Sequence, residues 1–147
     1  MESTELLYEA ALHITGIVEY GASMQAIVAG KVAPPPEGAR FDVSFEGPID
    51  GPKLKGSVHL VDYANVRADG RVELHIHAQF DLTDGGKMAF FADGVGTLDA
   101  KGILHVRENG SLKSNSPAHA WVNQIQVWAA GTVNLTTGEL RVKAYKA

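Results

Sequence analysis

The run "SVHLVDYANVRADGRVELHIHAQFDL", Ser57 to Leu82, decides how the chain folds. Two stretches that alternate apolar and polar residues, Ser57–Arg67 and Arg71–Leu82, flank Ala68, Asp69 and Gly70. A period of two sends successive side chains to opposite faces of an extended strand. Asp-Gly between two such runs is among the strongest hairpin signals. The same pattern continues outward. "TDGG" at Thr83–Gly86 leads into "KMAFFADGVGTL", and further turns are expected at Asp99–Gly102 ("DAKG"), Glu108–Gly110 ("ENG") and Thr136–Gly138 ("TTG"). "GPIDGP" and the triple-proline run "APPPEG", Ala33–Gly38, read as loops, because proline has no N–H to give a ladder. "TELLYEAALHI", Thr4–Ile14, is built of good helix formers, yet its alternating tail favours a strand. About nine or ten short-linked strands argue one all-β domain over residues 1–147, a single antiparallel closed barrel or a sandwich.

A chain of 147 residues is long enough to bury about two-thirds of its unfolded surface around one core. The net charge is −4 and the 13 Lys and Arg are scattered, so a nucleic-acid partner is not expected. No apolar run approaches the roughly 18 residues that cross a bilayer, and no membrane partner is expected. The opening "MESTELLYEA" lacks the basic segment and long apolar core of a secretory signal. The expected compartment is the cytoplasm, where the acceptor patterns at Asn109 and Asn134 carry no weight. The absence of cysteine excludes a disulfide framework, a thiolate metal site and a cysteine nucleophile.

Two places could carry chemistry. If the hairpin turns on the two residues Asp69-Gly70, Asp62 lies opposite His77 and Ala64 opposite His75. Asp62, Glu73, His75, His77 and Gln79 then share one face, with Tyr63 on the other and Arg67 near its end. A carboxylate across from an imidazole favours the charged ring and fixes its tautomer. That face is either an ordinary wet sheet surface or the lining of a barrel lumen, where polar groups among apolar ones mark a ligand site. The second place is "SNSPAHAWVNQIQVWAAG". There alternation puts His119, Trp121, Asn123 and Ile125 together, an aromatic beside an amide and an imidazole that suits a flat ligand. A metal alternative follows from "HIHAQFD" and "HAWVN", which loosely resemble the two cupin motifs. His75, His77, Asp81 and His119 would then hold iron, manganese or zinc. No serine-nucleophile elbow, phosphate-binding glycine loop or dinucleotide fingerprint is present.

"FEGPIDGPKLKGSV", "VDYANVRADGRVEL", "LTDGGKMAFFADGVG" and "SPAHAWVNQIQVWAAG" together resemble the uncharacterised family catalogued as DUF 3237 (UPF 0311 type). The resemblance runs nearly the whole chain in order. It implies a lipocalin-like antiparallel barrel, often paired into dimers, with no settled activity. The matching motif residues are Asp62, Arg67, Asp69, Gly70, Trp121 and Asn123. Asp69 and Gly70 read as turn formers. The family places an acid where His75 stands and an arginine where His77 stands, so this chain has exchanged that pair for two imidazoles.

The function expected from these residues is a cofactor-independent enzyme acting on a small aromatic or carbonyl compound in the lumen, by isomerase, cyclase, lyase or hydratase chemistry. His77 would be the general base, Asp62 its orienting partner and His75 the acid. Asn123 with Tyr63 or Arg67 would stabilise a developing oxyanion, and Trp121 and His119 would hold the ligand. The alternatives are a non-catalytic barrel that binds a small apolar ligand, and the cupin-like metal enzyme. Apolar residues expected on the outside, in "AFF" (Ala89–Phe91) and at Trp128, make a homodimer the expected assembly.

Overall fold

Eight strands pair in chain order around a ring. They are β1 (Glu5–Glu19), β2 (Ala39–Asp50), β3 (Gly56–Val66), β4 (Val72–Leu82), β5 (Lys87–Leu98), β6 (Ile103–Lys113), β7 (Val127–Asn134) and β8 (Glu139–Lys146). Every pairing is antiparallel, and β8 returns to β1 to close the barrel. The computed structural model describes residues 5–147, so Met1–Thr4, including the first residue of the expected strand Thr4–Ile14, lie outside the described residues. The rest of that segment is strand, in β1. No helix among the described residues is long and apolar enough to cross a membrane.

The count is eight, below the nine or ten expected, for two reasons. "ENG" is no turn: Glu108, Asn109 and Gly110 sit inside β6, fully paired to β5 and β7. "PAHAWVNQ" is no strand either, but a 3-10 segment, Pro117–Gln124. The Asn123 carboxamide stitches its base, accepting from Ser114 N–H at 2.9 Å and donating to Ser114 O at 2.8 Å. "GPIDGP" is also only partly a loop, since Gly47–Asp50 extends β2. The β1–β2 partners pass from His13–Glu46 directly to Ala10–Ile49, so Pro48, which has no N–H to donate, falls where that ladder lapses.

Because the strands run up and down, their connections alternate between the two ends. The β2–β3, β4–β5 and β6–β7 links close one end, with Leu54 and Val122 fully buried beneath them. The other end carries the β3–β4, β5–β6 and β7–β8 hairpins and the β1–β2 link. That link includes a one-turn helix, α1 (Met24–Val28), capped by the Ser23 hydroxyl. Alternate residues of every strand point inward, among them Phe41, Leu74, Phe80 and Val127, each almost wholly shielded from solvent. Burial of that kind stabilises by about 1.5–3 kcal/mol per large side chain.

Close strand approach constrains Gly94 in β5. A Cβ there would lie 2.1 Å from the Arg107 carbonyl oxygen and 3.0 Å from Glu108 Cα. Gly94→Ala should therefore cost about 1–3 kcal/mol in urea unfolding, as overpacking does. Gly16→Ala, whose new methyl meets nothing within 4 Å, should stay within about 0.5 kcal/mol.

Candidate functional site in the barrel lumen

Which side chains face inward is decided at the β3–β4 hairpin. Val66 pairs with Val72, so five residues link the strands. Arg67 N–H bonds Arg71 O, and Gly70 N–H bonds Arg67 O, both at 2.9 Å. Gly70 has φ +90°, while no non-glycine residue among those described has positive φ. Asp69 therefore cannot sit in the type I′ turn that the sequence suggested, which needs positive φ at both central residues. The loop is instead three residues, closed by a left-handed glycine. The register moves by one, and Asp62 pairs with Ile76 in place of His77. A slip of one residue exchanges faces. Asp62 turns into the lumen, and His75 and His77 turn out.

The lumen is a cavity of about 500 Å³, lined mostly by apolar side chains and reached from the end that carries α1. Polar groups enter its wall at few places: Tyr8, Asp62, Thr97 and Glu108, with Asp69 and Arg71 at the mouth. Tyr8 and Glu108 lie along one hydrogen-bonded row. Tyr8 pairs with Ala144, Ala144 with Ala129, Ala129 with Glu108, and Glu108 with Gly94. The tyrosine and the carboxyl both face the cavity. Tyr8 meets Phe80 edge-on at 5.3 Å, and Phe80 meets Phe90 at 5.7 Å, which makes an aromatic floor.

Asp62 projects from β3, three strands round the ring from Glu108 on β6. Its Oδ1 accepts the His75 backbone N–H at 3.0 Å, at the point where the β3–β4 ladder lapses between Asp62–Ile76 and Asn65–Glu73. Glu108 is 9% exposed and has no side-chain hydrogen-bond partner among the described residues. Burial penalises charge on both carboxyls. It lifts Asp62 to about 6, against the lowering pull of the His75 N–H. It lifts Glu108 further, to about 8, with the negative charge of Asp62 adding to the effect. Burial, with Glu108 nearby, also pushes the Tyr8 hydroxyl above its usual range. Burial therefore sets the two carboxyls apart, with Glu108 holding its proton to higher pH than Asp62.

The other residues singled out in the sequence do not meet here. His75 Nδ1 lies 3.0 Å from Asp93 on the exposed outer face. His77, also outside, meets Tyr63 and Phe91 edge-on at 5.4 Å and 5.0 Å. A histidine base oriented by Asp62 therefore has no geometry in this fold. Arg67 pairs with Asp69 in the hairpin turn at 2.6 Å. His119 Nε2 lies 2.6 Å from Asp84, and Trp121 and Asn123 occupy the 3-10 segment with it at the closed end, outside the cavity. Asp81 is on the outer face, bonded to Lys87 and Gln79. The four residues of the metal alternative are thus spread over the outside and the closed end. Among the described residues no three His, Cys, Asp or Glu converge to hold an ion. In "AFF", Phe90 is buried in the core and only Phe91 is well exposed, while Trp128 stacks on Tyr145 at 5.4 Å.

Glu108 and Tyr8 were missed. The inward series Leu104, Val106, Glu108, Gly110 and Leu112 does contain the signal, a charged residue on an apolar period. Asn109-Gly110, read as a turn, hid it.

No family model and no curated protein matches the chain. Solved structures do. A protein of unknown function from Clostridium acetobutylicum superposes with a TM-score of 0.77 at 17% identity, over 97% of each chain. A β-barrel-like protein from Acinetobacter baumannii gives 0.75 at 17% identity, over 97% of this chain and 94% of that one. An enzyme from Penicillium herquei gives 0.60 at 20% identity, over 96% and 92%. At these identities the likeness is one of fold.

The two lumenal carboxyls set a sign for stability against pH. Each binds its proton more tightly folded than unfolded, so stability is greatest below the ordinary value and falls as pH rises towards the folded one. For Glu108 the window runs from 4.5 to about 8, and for Asp62 from 3.8 to about 6. The melting temperature should fall between pH 5 and pH 9, and Glu108→Gln should flatten most of that fall. A wild-type curve with no decline across this range would contradict the assignment.

Proposed function

We propose that the lumen is the active site of a cofactor-independent enzyme for a small aromatic or carbonyl compound, with Asp62 as general base and Glu108 as general acid. The supporting observation is the carboxyl pair itself: two groups whose surroundings drive their protonation apart, facing one apolar cavity. Ionised Asp62 would take a proton from a carbon beside a carbonyl, or from a hydroxyl. Its bond to the His75 N–H holds the carboxylate in place. Glu108 would give its proton to the oxygen or carbon where electron density collects. The Tyr8 hydroxyl, kept protonated by burial, would donate a hydrogen bond to a developing oxyanion. The proton on Asp62 then returns to Glu108 through product or water, and the cycle closes without a redox partner. Isomerisation, cyclisation, lyase and hydration chemistry all fit this exchange. The fold shared with the Penicillium enzyme is in keeping with this reading. We likewise propose the homodimer, with the exposed Phe91 in its contact.

The mostly apolar wall also suits a second reading, a carrier that binds such a compound without turning it over. A panel of phenolic and enone compounds separates the two. The enzyme should show a bell-shaped kcat/KM profile with limbs near 6 and 8, values that belong to the pair. Asp62→Asn should lower turnover by roughly 10²–10⁴-fold, while His75→Ala and His77→Ala should leave it unchanged. Tight binding with no product, equal in wild type and Asp62→Asn, would select the carrier.

A further inference from the structure

We infer that the lumen also takes lipophilic amines, seating an ammonium group against Asp62 and Glu108 with its apolar body in the cavity. This goes beyond the acid–base reading and does not require turnover.

The argument begins with charge. The ionisable groups that line the cavity are Tyr8, Asp62, Asp69, Arg71 and Glu108. Asp69 and Arg71 belong to the exposed hairpin at the mouth, where Asp69 is already paired with Arg67 at 2.6 Å. Inside the wall there are two carboxyls and no cation. Ionising both carboxyls in this wall is costly without a counter-charge. An ammonium supplies the missing counter-charge.

Three features raise this above an acidic cluster alone. Glu108 is nine-tenths buried, lacks a hydrogen-bond partner among the described residues, and faces a void of about 500 Å³. Leu74, Ile76 and Val106 line the same void and give an apolar body a matching wall. The aromatic floor of Tyr8, Phe80 and Phe90 gives the apolar tail rings to pack on.

The proton balance is explicit. An amine enters as R–NH₃⁺ and keeps its proton. Its charge favours the ionised form of Glu108, so the Glu108 proton leaves to solvent. The complex then holds two carboxylates and one ammonium. A neutral ligand of equal shape leaves that proton where it was. A carboxylate ligand adds a third acid to the pair and is repelled. Because the bound amine empties the general acid, such a compound would inhibit any turnover in the same cavity.

The test uses the full chain and three probes of one shape: decylamine, decanol and decanoate. Titration calorimetry at pH 7 in two buffers of different ionisation enthalpy reads both affinity and protons. Decylamine should bind at least about 10-fold more tightly than decanol, and decanoate most weakly. Decylamine should release protons as it binds, drawn from the share that Glu108 holds in the empty protein. In Glu108→Gln that release should vanish and the preference for the amine should shrink, while decanol binds as before. Asp62→Asn should weaken the amine independently, should the first variant fail to fold. Leu74→Trp, which fills the lumen, should weaken all three probes.

Decanol or decanoate binding as tightly as decylamine, or amine binding with no proton released, overturns the inference and leaves the lumen as a binding compartment. If none of the three binds, the inference falls, and the reading of the lumen as a ligand site loses its support with it.

Discussion

Everything functional in this barrel depends on the phase of one hairpin. The left-handed Gly70 makes the β3–β4 loop three residues long, and that odd number sets which side of the sheet Asp62 occupies. One residue fewer would bring the two histidines to the face of Asp62. As built, the lumen receives a carboxylate and the exterior receives the imidazoles. A backbone hydrogen-bond choice at one turn thus decides the chemistry of the whole cavity.

Most of the architecture was legible in the sequence because period-two alternation is a strong signal and a closed barrel uses it on every strand. The turns at Asp69-Gly70, "TDGG", "DAKG" and "TTG" all stand where their glycines put them, each with a glycine at positive φ. The strand β1 was readable despite its helix-forming residues, because the barrel needs that segment to close on β8. Two failures have one cause, that local signals carry no knowledge of neighbours. Asn109-Gly110 looks like a turn, but Gly110 lies inside β6, paired on both sides, where a Cβ would strike the Phe90 ring at 2.6 Å and only glycine fits. The stretch around Trp121 alternates like a strand, yet Ser114 and Asn123 fold it into a plug.

The site was half legible. Asp62 stood out by its family-like motif, but its partner could be found only from the ring of strands that sets Glu108 on the same lumen. No spacing rule connects residues 62 and 108. Their relation comes from closure, which converts two distant stretches of chain into opposing walls. The cavity wall of Leu74, Ile76, Val106 and their neighbours leaves about 500 Å³ unfilled that larger side chains would have used for stability. That forfeited packing is the room a ligand occupies.

Leu54 and Val122 lie buried at one end of the cylinder, and the cavity opens at the other, beside α1. Such a vessel enforces a queue. A small co-reactant such as water would have to be in place beneath the larger molecule before that molecule enters, and would be the last to leave.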